Sequence, residues 1–382
     1  MKRDIEPRTR RRVRTDDRDI YSSSDIAATH KANVSHKKPK RHNTGVVVCL
    51  NILLSLLLSV CLVVAIGLPI LMNSRLFTDS SVTREKEFDK VITSEASDSV
   101  QYILIAGTDE GKNLTDIMMV ACFDMKRGTA NILQIPRDTY IGADIPSSKM
   151  NAVYGHPKDG QTKINGLLRR VNEFFGLPID HYITVTLSAF RSIVDAVGGV
   201  DVYVPENIYR AYGEADHAYN FYKGMNHMDG NMAEAFVRFR RDYAMGDYKR
   251  IQMQRSFYSA FIKKCLTMSS SQLLNVATEI YDEMTTDMTV SEVLDLASMA
   301  QSVGSEKIRF FAVPGQPLYY NGVSYFSIHK DDYLTMLNQH FLPYTVPIKE
   351  ENLLAIELYS IVGIYKEETY IEDKESIESY LE

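Results

Sequence analysis

The stretch from Gln101 to Pro136, QYILIAGTDEGKNLTDIMMVACFDMKRGTANILQIP, decides the fold class of this chain. It contains three apolar runs, YILIAG, IMMVACFD and ANILQIP, which are separated by turn-forming residues. Short apolar runs bounded by turn residues are typical of buried β-strands. The stretch therefore predicts the centre of a sheet.

Alternating helical and strand patterns follow this stretch. Ile164–Phe175 places its large apolar residues on one helical face, and Gly176 provides a stop signal. Further helices are predicted at Ser188–Val197, from Asp229 onward, and at Tyr248–Cys265, Ser270–Met284, Ser291–Gln301 and Asp331–His340. Further predicted strands are HYITVTL, VDVYVP and a late pair, KIRFFAV and VSYFSI. This mixture predicts an α/β fold in which helices flank a mixed sheet.

Composition sets the borders of the predicted domain. Residues 75–99 are polar and predict a stalk or a short juxtamembrane helix before a folded domain at residues 100–345. After Lys349 the chain holds ten acidic residues and two lysines, so residues 346–382 are predicted to form an acidic tail.

An uncharged apolar segment precedes the stalk. Residues 45–72, GVVVCLNILLSLLLSVCLVVAIGLPILM, are longer than the about 20 residues that cross a bilayer core. Lysines and an arginine abut the segment on its N-terminal side, and positive charge stays on the cytoplasmic side. We therefore predict a single-pass protein of the cell membrane, with residues 1–44 in the cytoplasm and the large domain outside.

The charge distribution argues against a nucleic-acid-binding domain. Residues 1–44 carry thirteen Lys and Arg against six Asp and Glu, a net charge of +7 in a chain whose total is −6. The remaining residues therefore carry −13, whereas nucleic-acid binding needs positive charge on the folded part.

Two acidic residues stand at predicted strand ends. Asp109 closes the first strand and Asp116 opens the second. Carboxylate oxygens in such a position can hold a hard cation. Asp at strand ends also serves turn formation, so both interpretations stay open at this point.

Arginines recur near the acids. Arg137 follows the strand ANILQIP, where a sheet edge tends to bind ligands, although a surface pair with Asp138 would also explain it. The remaining polar candidates are Arg238, Arg240, Asp247, Arg250 and Gln254, for which a solvated charged face is the simpler explanation of each motif alone. Guanidinium groups suit phosphate oxygens. The chain has no GxSxG, HExxH or GxxxxGK[ST] motif that would point to other chemistry.

These segments resemble the LytR-CpsA-Psr family of bacterial cell-envelope proteins. The resemblance rests on GTD (107–109), TDIMM (115–119), IPRDTY (135–140), KMNAVY (149–154), IDHYITV (179–185), VDAVGGVDVYVPENI (194–208), HMDGNMAEAFVRFRRD (227–242) and GDYKRIQMQRSF (246–257). It runs from Gln101 to Cys265 and continues more weakly to Phe341.

The resemblance implies a transferase of the Gram-positive envelope. Such proteins take a glycopolymer, of the teichoic acid or capsular polysaccharide type, from an undecaprenyl-pyrophosphate carrier and join it by a phosphodiester to peptidoglycan. The polyprenyl chain is expected in an apolar pocket with the pyrophosphate at its mouth, and Mg²⁺ is the expected cation.

The resemblance also implies roles for individual residues. Asp109 and Asp116 match the magnesium-associated acids, and Asp109, Arg137 and Asp247 are the expected catalytic residues. The expected pyrophosphate-binding residues are Arg137, Arg238, Arg240, Arg250 and Gln254.

The sequence departs from the family pattern at two positions. Gly111 and Leu114 stand where the family often has arginines, with Lys112 as a partial replacement. A site with less positive charge is expected.

The alternatives to a transferase are a non-catalytic polyprenyl-phosphate sensor that attenuates transcription and a pyrophosphatase of the same lipid.

Overall fold

A central sheet is built from strands at both ends of the folded region. The computed structural model describes residues 99–109, 111, 113–212, 217–239, 247–341, 345–367 and 376–381, with side chains left undescribed at 247–252. All of these residues belong to one compact unit, Val63–Glu382. The strands are β1 (Val100–Thr108), β2 (Thr115–Asp124), β3 (Thr129–Gln134), β4 (His181–Thr186), β5 (Val200–Val204), β6 (Ile208–Tyr212), β7 (Ala218–Phe221), β8 (Gly224–Met228), β9 (Met284–Thr286), β10 (Ile308–Ala312), β11 (Gly315–Tyr320) and β12 (Val323–Ile328).

The central sheet has six strands in the order β10-β3-β2-β1-β4-β9. The pairs β1–β2, β2–β3 and β4–β9 are antiparallel, while β1–β4 and β3–β10 are parallel. The other strands form three two-stranded sheets, β5–β8, β6–β7 and β11–β12. The sheet predicted from residues 101–136 is confirmed, and it is mixed as expected.

Helices cover both faces of this sheet. They are α1 (Lys163–Phe175), α2 (Leu187–Ala196), α3 (Gly230–Arg238), α4 (Asp247–Thr267), α5 (Ser270–Ile280), α6 (Val290–Val303), α7 (Lys330–Met336) and α8 (Leu358–Ile361). Side-chain oxygens cap five of them at the N-terminus, namely those of Thr162, Thr186, Asp229, Ser269 and Thr289. These caps satisfy backbone N–H groups that the first helical turn leaves without partners.

Strands of the central sheet contribute side chains to two cores, because successive side chains of a strand point to opposite faces of the sheet. In β1, Tyr102 and Leu104 pack in the core beneath α1 and α7, whereas Ile103 packs in the core beneath α2, α3 and α4. Adjacent residues of β3 divide in the same way, Ile132 to the second core and Leu133 to the first.

Two details of the predicted elements differ from the structure. The strands KIRFFAV and VSYFSI both form, but β10 joins the central sheet beside β3 while β12 pairs with β11. The helix predicted at Ser270–Met284 ends at Ile280, and Met284 begins β9 after a turn of 3-10 helix.

Part of the predicted acidic tail packs on the domain. Ile348 and Leu353 are buried in the core beneath α1, and Leu354 N donates a hydrogen bond to Glu173 O over 2.9 Å. Farther on, Ile377 is buried beside α4 in the other core. Apolar residues between the acids therefore fix this segment.

Several predictions lie outside the described residues. These are the cytoplasmic tail at residues 1–44, the membrane span at 45–72 and all but the end of the stalk at 75–99. Among the helices that the structure describes, none combines the length and apolar character needed to span a bilayer.

Candidate functional site

A cavity of about 540 Å³ opens on the face of the sheet that α2, α3 and α4 cover. Its apolar wall comes from the sheet and these helices, and includes Ile105, Ile117, Met119, Ile132, Phe190, Ile193, Val237, Phe257, Tyr258, Phe261, Ile262 and Phe310. Asp116, Arg137, Tyr212, Arg238 and Gln254 add polar groups to the same wall. The structure thus gathers four of the sequence-predicted site residues, Asp116, Arg137, Arg238 and Gln254, around one apolar cavity.

Exposure separates the inner part of the cavity from its mouth. Phe257 and Phe310 are each 1% exposed, whereas the side chains of Asp116 and Arg238 are 35% and 47% exposed. The charged groups therefore stand at the solvent end of an apolar interior, which suits a ligand with a polar head and an apolar chain.

Arg137 is directed toward the cavity by Asp116. Arg137 Nη1 donates a hydrogen bond to Asp116 Oδ1 over 2.6 Å, while Arg137 Nε lies 3.9 Å from Asp138 Oδ1. Asp138 Oδ1 instead accepts a hydrogen bond from Lys149 Nζ over 3.0 Å. The pairing of Arg137 with Asp138 that would explain a surface arginine is therefore the weaker of its two contacts.

The backbone also fixes Arg137. Its carbonyl oxygen accepts a hydrogen bond from Asn151 N over 3.0 Å, and Thr115 Oγ1 donates to Asn151 O over 3.4 Å. Asn151 thus joins the turn after β3 to the start of β2. The motif around Lys149–Tyr154 supports the site through these backbone contacts.

Asp109 closes a loop beside the cavity. Its Oδ1 accepts hydrogen bonds from Asn113 N over 2.7 Å and from Leu114 N over 3.0 Å, which is the turn chemistry considered above. Gly155 packs beneath this loop so closely that a Cβ there would lie 2.3 Å from Asn113 O. Asp109, directly after β1, does not belong to the cavity wall, which includes Gly107 of β1.

A buried carboxylate orients Arg238. Glu234, with 0% exposure, accepts a hydrogen bond from Arg238 Nη1 at Oε1 and from Arg191 Nη1 at Oε2, each over 2.5 Å. Two guanidinium groups thus share one carboxylate that is fully buried. Sequence reasoning missed Glu234, although its i,i+4 spacing to Arg238 on one helix was a visible signal.

The remaining predicted residues fall on or before α4. Gln254 is buried, and its Nε2 donates a hydrogen bond to Val237 O over 3.0 Å, so it ties α4 to α3. Arg240 lies outside the described residues, and the side chains of Asp247 and Arg250 are undescribed. Their predicted roles therefore stay predictions.

Asp109 and Asp116 are the two carboxylates that the sequence assigns to a Mg²⁺ ion. No group of three or more His, Cys, Asp or Glu side chains arranged to hold a metal occurs in the described part of the chain. Mg²⁺ in phosphate chemistry usually takes one or two carboxylates, several waters and substrate phosphates. In Asp109 and Asp116 the hydrogen bonds described above engage Oδ1. Oδ2 of each is the donor oxygen that such an ion would use.

Comparisons with known proteins identify the family of this chain. The family model of the LytR_cpsA_psr family matches residues 72–341. The polyisoprenyl-teichoic acid–peptidoglycan teichoic acid transferase TagU of Bacillus mycoides (strain KBAB4) is 34% identical over 220 residues, which cover 56% of this chain and 69% of that protein. The corresponding transferase TagV of Bacillus subtilis (strain 168) is 29% identical over 213 residues, 54% of each chain. The crystal structure of B. subtilis TagV superposes with a TM-score of 0.56 at 28% identity and covers 65% of this chain and 100% of that one.

Proposed function

Since the chain belongs to the LytR_cpsA_psr family, we propose that it is a phosphotransferase that moves a glycopolymer to peptidoglycan from an undecaprenyl-pyrophosphate carrier. The names of the TagU and TagV relatives support a teichoic acid as the polymer, and a capsular polysaccharide is the related candidate. The observation that carries the proposal is the apolar cavity with Arg137 and Arg238 at its charged mouth.

The cavity suits the lipid part of the carrier. Its volume of about 540 Å³ lies within the range of roughly 300–1,000 Å³ that is usual for small-molecule sites. We assign this space to the prenyl units nearest the pyrophosphate. Burial of those units against Phe257, Phe261 and Phe310 would bind the carrier whatever polymer it bears.

The arginines suit the pyrophosphate. Arg137 and Arg238 come from different elements, and Asp116 and Glu234 orient them so that each guanidinium presents fixed N–H donors. Charge-assisted donors of this kind stabilise negative charge on phosphoryl oxygens. Arg240, Arg250 and Gln254 complete the pyrophosphate site that we propose, with Asp247 as a supporting acid.

Asp109 and Asp116 would hold Mg²⁺ in this account. The ion, when bound, would offset charge on the pyrophosphate oxygens. Asp116 already pairs with Arg137, so one carboxylate links the metal site to the arginine site.

The proposed reaction is a displacement at phosphorus. The oxygen of a peptidoglycan sugar hydroxyl forms a bond to the phosphorus nearest the glycan, and the bond from that phosphorus to the bridging oxygen breaks. Undecaprenyl phosphate leaves with the bridging oxygen and its electron pair. The hydroxyl proton passes to bulk water, because the Asp109 carboxylate accepts two N–H hydrogen bonds at Oδ1 and would hold Mg²⁺ at Oδ2, and the product is a phosphodiester. Arg137 and Arg238 stabilise the charge that develops on the oxygens.

An extracytoplasmic location completes the proposal. Residues 45–72 would anchor the protein in the membrane, and the domain would meet both carrier lipid and peptidoglycan on the outer side.

Product analysis tests this function. The full-length protein in liposomes would receive an undecaprenyl-pyrophosphate-linked glycan, peptidoglycan oligomers and Mg²⁺, and mass spectrometry would identify the products. A phosphodiester-linked glycan–peptidoglycan adduct supports the transferase. Released glycan phosphate without adduct indicates a pyrophosphatase, and bound but unchanged lipid indicates a sensor.

A further inference from the structure

Arg210 has an unusual backbone conformation beside the cavity. Its φ angle of +56° is in the left-handed region, which residues other than glycine rarely adopt. In the described part of the chain Ser148 and Asn321 are the other such residues, so Arg210 is the charged one. The pairing of β6 with β7 shifts register between Ile208 and Ala211, at the position of Arg210.

Neighbouring residues stabilise this conformation. Arg210 N donates a hydrogen bond to Asn220 Oδ1 over 3.0 Å. Ile208 and Ala211 are buried on the inner side of the hairpin, where the ring of Phe221 lies 5.2 Å from that of Phe236 in α3. The hairpin is therefore attached to the helix that carries Arg238. A strained backbone conformation of this kind persists only where surrounding contacts hold it in place, and such conformations are concentrated at functional sites.

The conformation places a guanidinium at the rim of the cavity. Arg210 Nε donates a hydrogen bond to Tyr212 Oη over 3.1 Å, and Arg210 Cζ lies 6.0 Å from the centre of the Tyr212 ring. Tyr212 belongs to the cavity wall together with Arg238. Arg210 itself is exposed, and within the described ranges no ion pair joins its guanidinium to a carboxylate. The side-chain hydrogen bond to Tyr212 engages Nε, so the Nη groups are the donors that would face an anion.

We propose that Arg210, tethered by Tyr212, forms a second anion site that binds a phosphate of the glycopolymer outside the pyrophosphate site. The inference rests on the proposed function, because it assigns the polymer to the rim of the same cavity. A guanidinium fork matches phosphate oxygens, which would select donors with phosphodiester repeats over donors with uncharged glycans. The site would therefore contribute to the choice of polymer.

The test separates the guanidinium from the backbone. Arg210→Gly removes the side chain and leaves a residue that adopts positive φ readily. Asn321→Gly is the matched control, because Asn321 has φ +50° in the turn between β11 and β12. The full-length variants would bind two undecaprenyl-pyrophosphate donors of equal glycan length, one with phosphodiester repeats and one without charge on the glycan.

The expected result is selective. Because Arg210→Gly loses a charge-assisted contact, it should bind the phosphate-bearing donor about tenfold more weakly than the parent does. Its affinity for the uncharged donor should be unchanged. Asn321→Gly should bind both donors like the parent, and both variants should keep their Tm within about 4 °C of the parent value. Tyr212→Phe, which removes the tether alone, should weaken binding of the phosphate-bearing donor about threefold.

Two outcomes would overturn the second site. Equal weakening of both donors would place Arg210 at the pyrophosphate, and unchanged binding of both would leave it without a ligand. A third result would keep this site and refute the transferase. In that case the parent binds the phosphate-bearing donor more tightly than the uncharged one, Arg210→Gly lacks this preference, and the parent transfers no glycan.

Discussion

Arg238 Nη1 donates a hydrogen bond to Glu234 Oε1 over 2.5 Å, and Arg191 holds the other oxygen of the same buried carboxylate. The partly exposed cation at the cavity mouth is thus oriented by an acid one helical turn earlier. Water cannot replace this contact, because Glu234 has 0% exposure.

Glu234→Gln should affect both stability and rate. Removal of one charge leaves two guanidinium groups with an uncharged partner, so the free energy of unfolding should fall by about 3 kcal/mol. Arg238 loses its fixed orientation, and kcat/KM should fall about tenfold. Urea unfolding and the transfer assay measure the two effects.

A double variant separates the two effects. Arg191→Met with Glu234→Leu replaces the buried pair by apolar groups, which is often neutral for stability. Stability should return while kcat/KM stays low, because Arg238 still lacks its partner. A double variant that regains both stability and full rate would contradict a positioning role.

Asp116→Asn tests the link between metal and arginine. The partly exposed side chain contacts Arg137 and is proposed to contact Mg²⁺, so its loss should raise the Mg²⁺ concentration for half-maximal transfer at least about tenfold. The fold should persist, as a Tm measurement would show. Asp138→Asn is the control, since Asp138 pairs with Lys149. A lowered Tm with an unchanged Mg²⁺ requirement would reduce Asp116 to a structural residue.

Local patterns predicted most of the fold but not the long-range pairings. The helix ending at Gly176 and the strands of residues 101–136 follow from periodicity and turn residues. β11 was missed, and Pro317 in its middle is a residue that sheets tolerate mainly at edges. The packing of Leu353 on α1 joins distant segments, which local composition does not encode.

The candidate site was predictable in part for the same reason. Arg137 and Asp116 are 21 residues apart and meet because β2 and β3 pair in one register. The strand pattern indicated that both stand at strand ends, but their contact depends on the register. Glu234 was missed because a glutamate on an amphipathic helix is usually solvated.

Gly176→Ala tests the contact between α1 and the C-terminal segment. Gly176 has φ +69°, and a Cβ there would lie 2.8 Å from Leu353 Cδ2 and 3.0 Å from Ile348 Cδ1. Gly160→Ala is the control, because Gly160 has φ +79° and open space around it. Both variants carry the left-handed strain of about 1 kcal/mol. Gly176→Ala should lose about 1–3 kcal/mol more in urea unfolding, through overpacking. Equal losses of unfolding free energy in the two variants would mean that Ile348 and Leu353 do not pack tightly against Gly176.

The His181–Asp287 pair should make stability depend on pH. A hydrogen bond from His181 to Asp287 Oδ2, 3.1 Å long, raises the pKa of His181 above its usual value of 6.5. This stabilisation is fully present below about pH 6.5 and is lost as the pH rises through the higher pKa of the folded state. Unfolding free energies at several pH values should therefore show a loss across this range.

Asp287→Asn should remove that loss. The substituted amide would lack the charge that favours the imidazolium, while its oxygen could still accept the hydrogen bond that Tyr182 N donates to Asp287 Oδ1 over 3.0 Å. The difference in unfolding free energy between parent and variant should shrink as the pH rises. A difference that is independent of pH would contradict the assigned ion pair.

Two arginine variants of the full-length protein, compared in the transfer assay, test whether Arg137 stabilises the phosphoryl group during transfer. Arg137→Ala removes a proposed donor to the phosphoryl oxygens, a loss that typically costs about 3 kcal/mol or roughly 100-fold in rate. Arg169→Ala is the control, because Arg169 pairs with Glu173 on α1 and is 41% exposed. With carrier lipid bound and Tm unchanged, Arg137→Ala should transfer glycan to peptidoglycan oligomers at least about tenfold more slowly than the parent, and Arg169→Ala at the parental rate. Equal transfer rates in the two variants would exclude Arg137 from the reaction, and a parent that binds the carrier with Mg²⁺ present and never forms the adduct would refute the transferase.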